Sequence, residues 1–144
     1  MFKEIERKWL LKPDINYKDI IVGKPHKIQD YYFNEYTRLR HEDNCWYITI
    51  KGSGTLIRDE FEFRLAKSEI YFTPKPVLKK LRYLIPYENH IFELNKFENL
   101  LKPLIIVECE FNTNSDIITL PNWLGQEITN DIEFYGYKLF QTVQ

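Results

Sequence analysis

Glu4-Ile5-Glu6-Arg7-Lys8 near the start of the chain and Glu108-Cys109-Glu110 near its end decide how the sequence is read. On a β-strand, side chains at i, i+2 and i+4 share one face, about 6.6–7 Å apart. Glu4, Glu6 and Lys8 therefore line one side of a strand, and Glu108 and Glu110 line one side of another. Carboxylates on a shared face repel one another, so that face is either wet or has a cation between them. The pattern recurs between these ends. Arg38-Leu39-Arg40, Arg58-Asp59-Glu60-Phe61-Glu62 and Lys80-Leu81-Arg82 also put charges at alternate positions. The intervening residues Ile5, Leu39, Phe61, Leu81 and Cys109 are apolar, with Arg7 and Asp59 the exceptions.

A sheet with one buried face and scattered charges in water accounts for any one such strand. It accounts poorly for all of them together, because the charges come as doublets of one sign. If the charged faces converge, the acids are Glu4, Glu6, Glu60, Glu62, Glu93, Glu108 and Glu110. The bases are Lys8, Arg38, Arg40, Lys51, Arg58, Lys80 and Arg82. A near-neutral concave surface built from such strong charges can hold a polyanion on its bases and a metal on its acids.

The bulk properties fit one globular domain over 1–144. The chain has 144 residues and a formal net charge of −1, so no global field draws it to nucleic acid or to a membrane. No apolar run reaches membrane length, and the N-terminus moves straight into a charged strand without a signal peptide; a cytoplasmic location is expected. Cys45 and Cys109 are too few for a disulfide framework, and Cys109 alternates away from its flanking glutamates toward a buried face. Ten Tyr, ten Phe and three Trp suit a β-rich core.

Strands are expected near 3–11, 27–34, 36–42, 45–51, 58–65, 78–86, 89–95 and 103–112. Asp43-Asn44 and Glu88-Asn89 read as hairpin turns, and Gly52-Ser53-Gly54 as a loop between strands. Residues 15–22 read as a short helix or irregular chain, and 67–73 as one helical turn stopped by Pro74 and Pro76. Pro121-Asn122-Trp123-Leu124 is expected to open a short helix, and Asn130 or Asp131 to cap a final helix through about 141. The fold class is mainly β (α+β): an eight-stranded antiparallel closed barrel with a few short helices and a C-terminal helix, closure removing exposed edges.

In this order the residues resemble the CYTH superfamily, also called triphosphate tunnel metalloenzymes. The opening Glu4-x-Glu6-x-Lys8 is followed by Gln29-Asp30-Tyr31-Tyr32-Phe33, Thr37-Arg38-Leu39-Arg40, Thr49-Ile50-Lys51-Gly52 and Arg58-x-Glu60-x-Glu62. Lys80-x-Arg82-Tyr83, Phe92-Glu93-Leu94, Val107-Glu108-x-Glu110 and Pro121-x-Trp123-Leu124-Gly125-x-Glu127-Ile128-Thr129-x-Asp131 complete the set. A lone ExExK arises by chance in charged helices; the ordered series over nearly the whole chain is specific. Three departures stand out. Asn95 stands where the family often has Asp, still an oxygen ligand but uncharged. The closing Tyr-x-Asn, commonly with a basic residue, reads Glu133-Phe134-Tyr135-Gly136 here, with Lys138 one turn later. Region 12–26 is short.

The resemblance implies a tunnel that binds a triphosphate group and Mg²⁺ or Mn²⁺. Arg38, Arg40, Arg58, Arg82, Lys8, Lys51 and Lys80 are the expected grip on phosphate oxygens, Arg as a planar fork and Lys as a point charge. Glu4, Glu6, Glu60, Glu62, Glu108 and Glu110 form the pool of metal ligands, direct or through water, and Glu4, Glu6, Glu108 and Glu110 are the expected catalytic carboxylates. The implied reaction is hydrolysis of inorganic tripolyphosphate, a small-molecule substrate, to phosphate and pyrophosphate by a monomer or homodimer. A class IV adenylate cyclase, a thiamine triphosphatase and a non-catalytic sensor of polyphosphate or RNA 5′-triphosphate use the same surface and remain open. No Walker-type glycine loop is present, and His26, His41 and His90 show no metal spacing.

Overall fold

The computed structural model describes residues 2–67, 77–111 and 119–143, with side chains from Ile5 onward. Among the described residues nine strands run in chain order: β1 (Phe2–Leu11), β2 (His26–Asn34), β3 (Thr37–Glu42), β4 (Cys45–Lys51), β5 (Ile57–Leu65), β6 (Leu78–Tyr87), β7 (His90–Phe97), β8 (Ile105–Glu110) and β9 (Leu124–Glu127). Every pairing is antiparallel, in the order β5-β4-β3-β2-β6-β7-β8-β1, and β5 also pairs with β1. The sheet thus closes into an eight-stranded barrel. β1 makes the closure: Glu6–Leu10 pair with β8 on one edge, and Phe2–Ile5 pair with β5 on the other. β9 continues that second edge beside Trp9 and Leu11.

The alternation read from the sequence becomes an inside and an outside. Lys80 and Arg82, Glu93, Glu108, Glu6 and Lys8 point into the barrel. Their neighbours Tyr83, Ile85, Phe92, Leu94, Val107, Cys109 and Trp9 point out and form the larger apolar core. That core therefore lies outside the barrel wall. It is roofed by Ile15, Tyr17, Ile20 and Ile21 of the β1–β2 connection and by Trp123 and Leu124. A second core fills one end of the lumen, where Leu78, Phe97, Ile106 and Leu10 meet Leu139 and Phe140 of the terminal helix α1 (Gly136–Thr142). The barrel is therefore plugged at that end rather than open through its length.

The turns follow their chemistry. Asp43 and Asn44 take φ of 49° and 67°, the mirror-image turn that matches strand twist. Glu88 at the second hairpin has φ of 53°. Residues 17–19 form one 3-10 turn capped by the Asn16 side chain. The turn expected over 67–73 lies, Lys67 apart, outside the described residues.

The closing region departs from expectation. No helix opens at Pro121; Leu124–Glu127 is the strand β9. The reason is tertiary: β1 still has edge groups to pair, and Lys12 N donates to Trp123 O at 3.1 Å while Ile128 N donates to Lys8 O at 2.8 Å. Gly125 permits the approach, since a Cβ there would sit 2.8 Å from Leu11 O. Asp131 does act as a cap, but of a 3-10 turn over Ile132–Phe134, and the α-helix starts only after the extended Tyr135.

Candidate active site

The lumen contains a cavity of about 770 Å³. Thirteen of the charged residues expected to converge line it: Glu6, Lys8, Arg38, Arg40, Lys51, Arg58, Glu60, Glu62, Lys80, Arg82, Glu93, Glu108 and Glu110. Glu4 is placed by its backbone alone, opposite Arg58 in the β1–β5 register. Its side chain lies outside the described residues.

Strand order sorts these charges into sectors. β7, β8 and β1 are adjacent, so Glu93 faces Glu108 and Glu6 faces Glu110 across the ladder. Directly opposed carboxylates normally destabilise a sheet. Here they form an acidic sector, in which ligand oxygens of Glu6, Glu93 and Glu108 lie within 4.8 Å of one another. β3, β2 and β6 carry the basic sector: Arg38, Arg40, Lys80 and Arg82. β4 and β5 are mixed. Lys51 Nζ lies 3.4 Å from Glu60 Oε2, and Arg38 Nη2 donates to Thr49 Oγ1 (3.1 Å), which donates to Glu62 Oε2 (3.0 Å).

The sectors set one another's protonation. Burial opposes the charge on Glu108, but Lys8, Lys80 and Arg82 outweigh it and hold the carboxyl well below the usual range. Burial likewise works against the Lys8 ammonium, and Glu108 with Glu6 holds its pKa above the ordinary lysine value. Lys80 goes the other way. Burial, then Arg82 and Arg40, push it down to about 7.

Two residues form a layer beneath the lining. Asp30, 1% exposed, accepts from Arg40 Nε at 2.7 Å and from Arg40 Nη2 at 3.0 Å, and its Oδ1 lies 3.9 Å from Arg38 Nε. Burial is offset by these arginines, so Asp30 stays ionised well below ordinary carboxylate values and Arg40 is held charged. Asn95, fully buried, accepts from Arg82 Nε at 2.8 Å and donates to Glu93 O and Ile106 O, both at 3.2 Å. Its amide is committed to orienting Arg82. It is not presented to the cavity as an oxygen ligand, which corrects the reading of Asn95 as a site oxygen. Arg82 in turn reaches Glu93, with Nη1 3.1 Å from Oε2.

Sequence reasoning did not assign roles to Asp30, Thr49, Glu42 or Tyr135, and placed Glu93 among the acids but outside the metal ligands. Glu93 was accessible from strand adjacency. Thr49 alternates with Lys51, which was a usable signal. His26, without metal spacing along the chain, meets Glu42 and Asp43 beside the β2–β3 end of the barrel, its Nδ1 in contact with Asp43 Oδ2. Glu127 pairs with the outward Arg7 (2.6 and 2.9 Å) and accepts from Thr129, tying β9 to β1 rather than serving the lumen. Lys138 of α1 does line the cavity.

A family model described as the CYTH domain matches residues 3–144. The chain belongs to the CYTH family. Among its relatives, an inorganic triphosphatase of Acetivibrio thermocellus is 32% identical over 148 residues, covering 96% of this chain and 94% of that protein. An inorganic triphosphatase of Nitrosomonas europaea is 30% identical over 110 residues, covering 71% of this CYTH chain and 72% of the relative. In three dimensions the chain is similar to the crystal structure of the inorganic triphosphatase NE1496, with a TM-score of 0.63 and 25% identity over 97% of this chain and 95% of the other. It shares the fold alone with a putative adenylate cyclase from Bacillus halodurans, with a TM-score of 0.59 and 19% identity over 78% and 83%.

Proposed function

We propose that this CYTH protein is a divalent-metal-dependent triphosphatase that hydrolyses inorganic tripolyphosphate to phosphate and pyrophosphate inside its barrel. The observation that carries this reading is the division of one lumen into an acidic and a basic sector. A linear triphosphate is a polyanion, and it spans those sectors only if a cation joins it to the acids. Its relatives of 30% and 32% identity, both inorganic triphosphatases, support the same substrate class.

The acidic sector fits a hard dication. Glu6, Glu93 and Glu108 offer three carboxylates with ligand oxygens within 4.8 Å, and oxygen-only donors suit Mg²⁺ or Mn²⁺. Glu110 opposes Glu6 and completes the local acid supply, while Glu60 and Glu62 on β5 already serve Lys51 and Thr49. When bound, the ion neutralises phosphate charge and polarises the phosphorus toward attack. The remaining work belongs to the chain. Arg38, Arg58, Arg82, Lys8, Lys51 and Lys80 bind the phosphate oxygens and stabilise charge as it develops. Arg40, held by Asp30, keeps the basic wall in place. The acidic carboxylates orient a water in line with the terminal phosphorus, and its proton passes to the departing pyrophosphate. The new oxygen–phosphorus bond replaces the bridging one, and pyrophosphate departs. No side chain forms a covalent intermediate in this scheme. A cytoplasmic setting supplies both Mg²⁺ and such phosphoanhydrides.

The test is incubation of the purified protein with Mg²⁺ or Mn²⁺ and, separately, tripolyphosphate, ATP and thiamine triphosphate. Phosphate release from tripolyphosphate, far exceeding that from the other two, is expected. Pyrophosphate together with cyclic AMP from ATP would make it a cyclase. Tight binding without turnover would make it a sensor.

A further inference from the structure

Among the described residues, two buried side-chain atoms have no hydrogen-bond partner: Arg38 Nε and the Tyr135 hydroxyl. Leaving a buried polar group unmade costs about 1–3 kcal/mol, so each such atom in a folded protein calls for an explanation. Both atoms can donate, and both belong to side chains that line the cavity. An anionic oxygen in the lumen would satisfy either. Arg38 was expected there from the charged strands. Tyr135 was not, because it is uncharged and comes from the closing segment rather than from a charged strand.

The backbone around Tyr135 fixes where its ring goes. It is the single extended residue (φ −70°, ψ 147°) between the 3-10 turn over Ile132–Phe134 and α1. Its N–H donates to Ile132 O at 3.2 Å, and its carbonyl accepts from Leu139 N at 2.9 Å. The next residue is pressed against the barrel, since a Cβ on Gly136 would lie 2.0 Å from the Tyr32 hydroxyl. Held in this way, the Tyr135 ring lies 5.3 Å from Lys8 Nζ and 5.9 Å from Arg58 Cζ. Both cations lie against this one ring, and Lys8, Arg58 and Tyr135 all line the same cavity, within reach of one bound anion.

We infer that Tyr135 is a substrate-binding residue whose hydroxyl donates a hydrogen bond to a non-bridging phosphate oxygen shared with Lys8 and Arg58. The inference rests on the triphosphatase reading and deepens it: the C-terminal segment contributes a neutral donor to the grip on the triphosphate. A purely structural Tyr135 would only pack its ring on the two cations. Tyr135→Phe separates these roles, because it keeps the ring and removes the hydroxyl.

Binding of tripolyphosphate is measured calorimetrically without added divalent metal, so that no turnover intervenes. Tyr135→Phe is expected to weaken Kd about tenfold, the loss of one hydrogen bond to a charged group. The Tm of the unliganded variant should equal or exceed that of the parent, since an unpaired buried hydroxyl has gone. With Mg²⁺ or Mn²⁺ present, KM should rise by a similar factor while kcat changes by less than about twofold. An unchanged Kd in Tyr135→Phe, with the parent binding normally, overturns the inference and leaves the triphosphatase reading intact. A lowered Tm with unchanged Kd would likewise assign the hydroxyl a structural role only. A parent protein that neither binds nor hydrolyses tripolyphosphate overturns the triphosphatase reading, and the inference with it.

Discussion

Asp30 shows how a buried side chain can position the cations that line a cavity. It supplies the counter-charge for Arg40 through two hydrogen bonds and lies close to Arg38, all in near-complete burial. Asp30→Asn removes that charge and leaves buried guanidinium groups uncompensated, a loss of about 3–5 kcal/mol. Thermal unfolding should then show Tm lower by on the order of 10 °C, with KM for tripolyphosphate raised. The pH dependence has a definite sign. Because Asp30 is held below its ordinary pKa in the folded state, its stabilisation is present above the unfolded carboxylate value of about 3.9 and is lost as pH falls below it. Tm of the parent should therefore drop in that acid range more steeply than Tm of Asp30→Asn; parallel curves would show that Asp30 is not the group responsible. Glu108 contributes in the same direction, so the variant keeps part of the acid limb. At the acidic sector, Glu108→Gln should lower kcat by at least about 100-fold with the circular dichroism spectrum preserved, and near-normal turnover would remove Glu108 from the reaction.

At the scale of elements, the site depends on how β9 is attached to β1. The strand is only four residues long and ends where the chain turns toward Ile132 and Tyr135, both of which line the cavity. Its contact is backbone to backbone at Gly125, so an added methyl group cannot be accommodated by a rotamer change. Gly125→Ala should cost about 1–3 kcal/mol and lower Tm by several degrees, as overpacking does elsewhere. If Tm is unaffected, the tight seam between Leu11 and Gly125 is not needed to hold the closing segment. The same seam explains why Glu127 and Thr129 face Arg7 and Lys8 N rather than the substrate space. Their hydrogen bonds lock the segment that carries Tyr135.

For the whole molecule, the barrel resolves a conflict that an open sheet could not. A face with this many charges is costly to bury, and the strongly apolar opposite face is costly to leave in water. Closure puts the charges around a cavity and turns the apolar faces outward, where residues 15–21 and 123–124 cover those of β1, β6, β7 and β8, while Phe61 and Phe63 of β5 stay exposed. A ligand that joins the two sectors should therefore stabilise the whole fold. At a hundredfold excess over Kd, tripolyphosphate contributes about 2.7 kcal/mol, on the order of 5–10 °C in Tm. Differential scanning with and without tripolyphosphate measures this directly, and no shift at saturating concentration would argue against any triphosphate site in the lumen.

Alternation alone made the strands, their inward charges and the buried Cys109 legible, because a period of two fixes which side chains share a face whatever the strand later pairs with. The hairpin turn at Asp43-Asn44 was legible for the same kind of local reason. What pairs with what was not local. A bulge between Tyr32 and Asn34 shifts the β2–β3 register by one residue and brings Asp30 opposite Arg40. Simple counting from the turn would have placed Tyr31 there instead. Strand β9 was equally hidden: Leu124–Glu127 has no alternating signature of its own and becomes a strand because β1 offers an unfilled edge. Tyr135 enters the cavity only because that strand and Gly136 fix the path of the chain behind it. The charges, and the strand faces that bear them, follow from residue order alone. Which charges meet follows from the three-dimensional fold, since a bulge shifts one register and closure and the filling of a free edge bring together residues as far apart as Lys8 and Thr129.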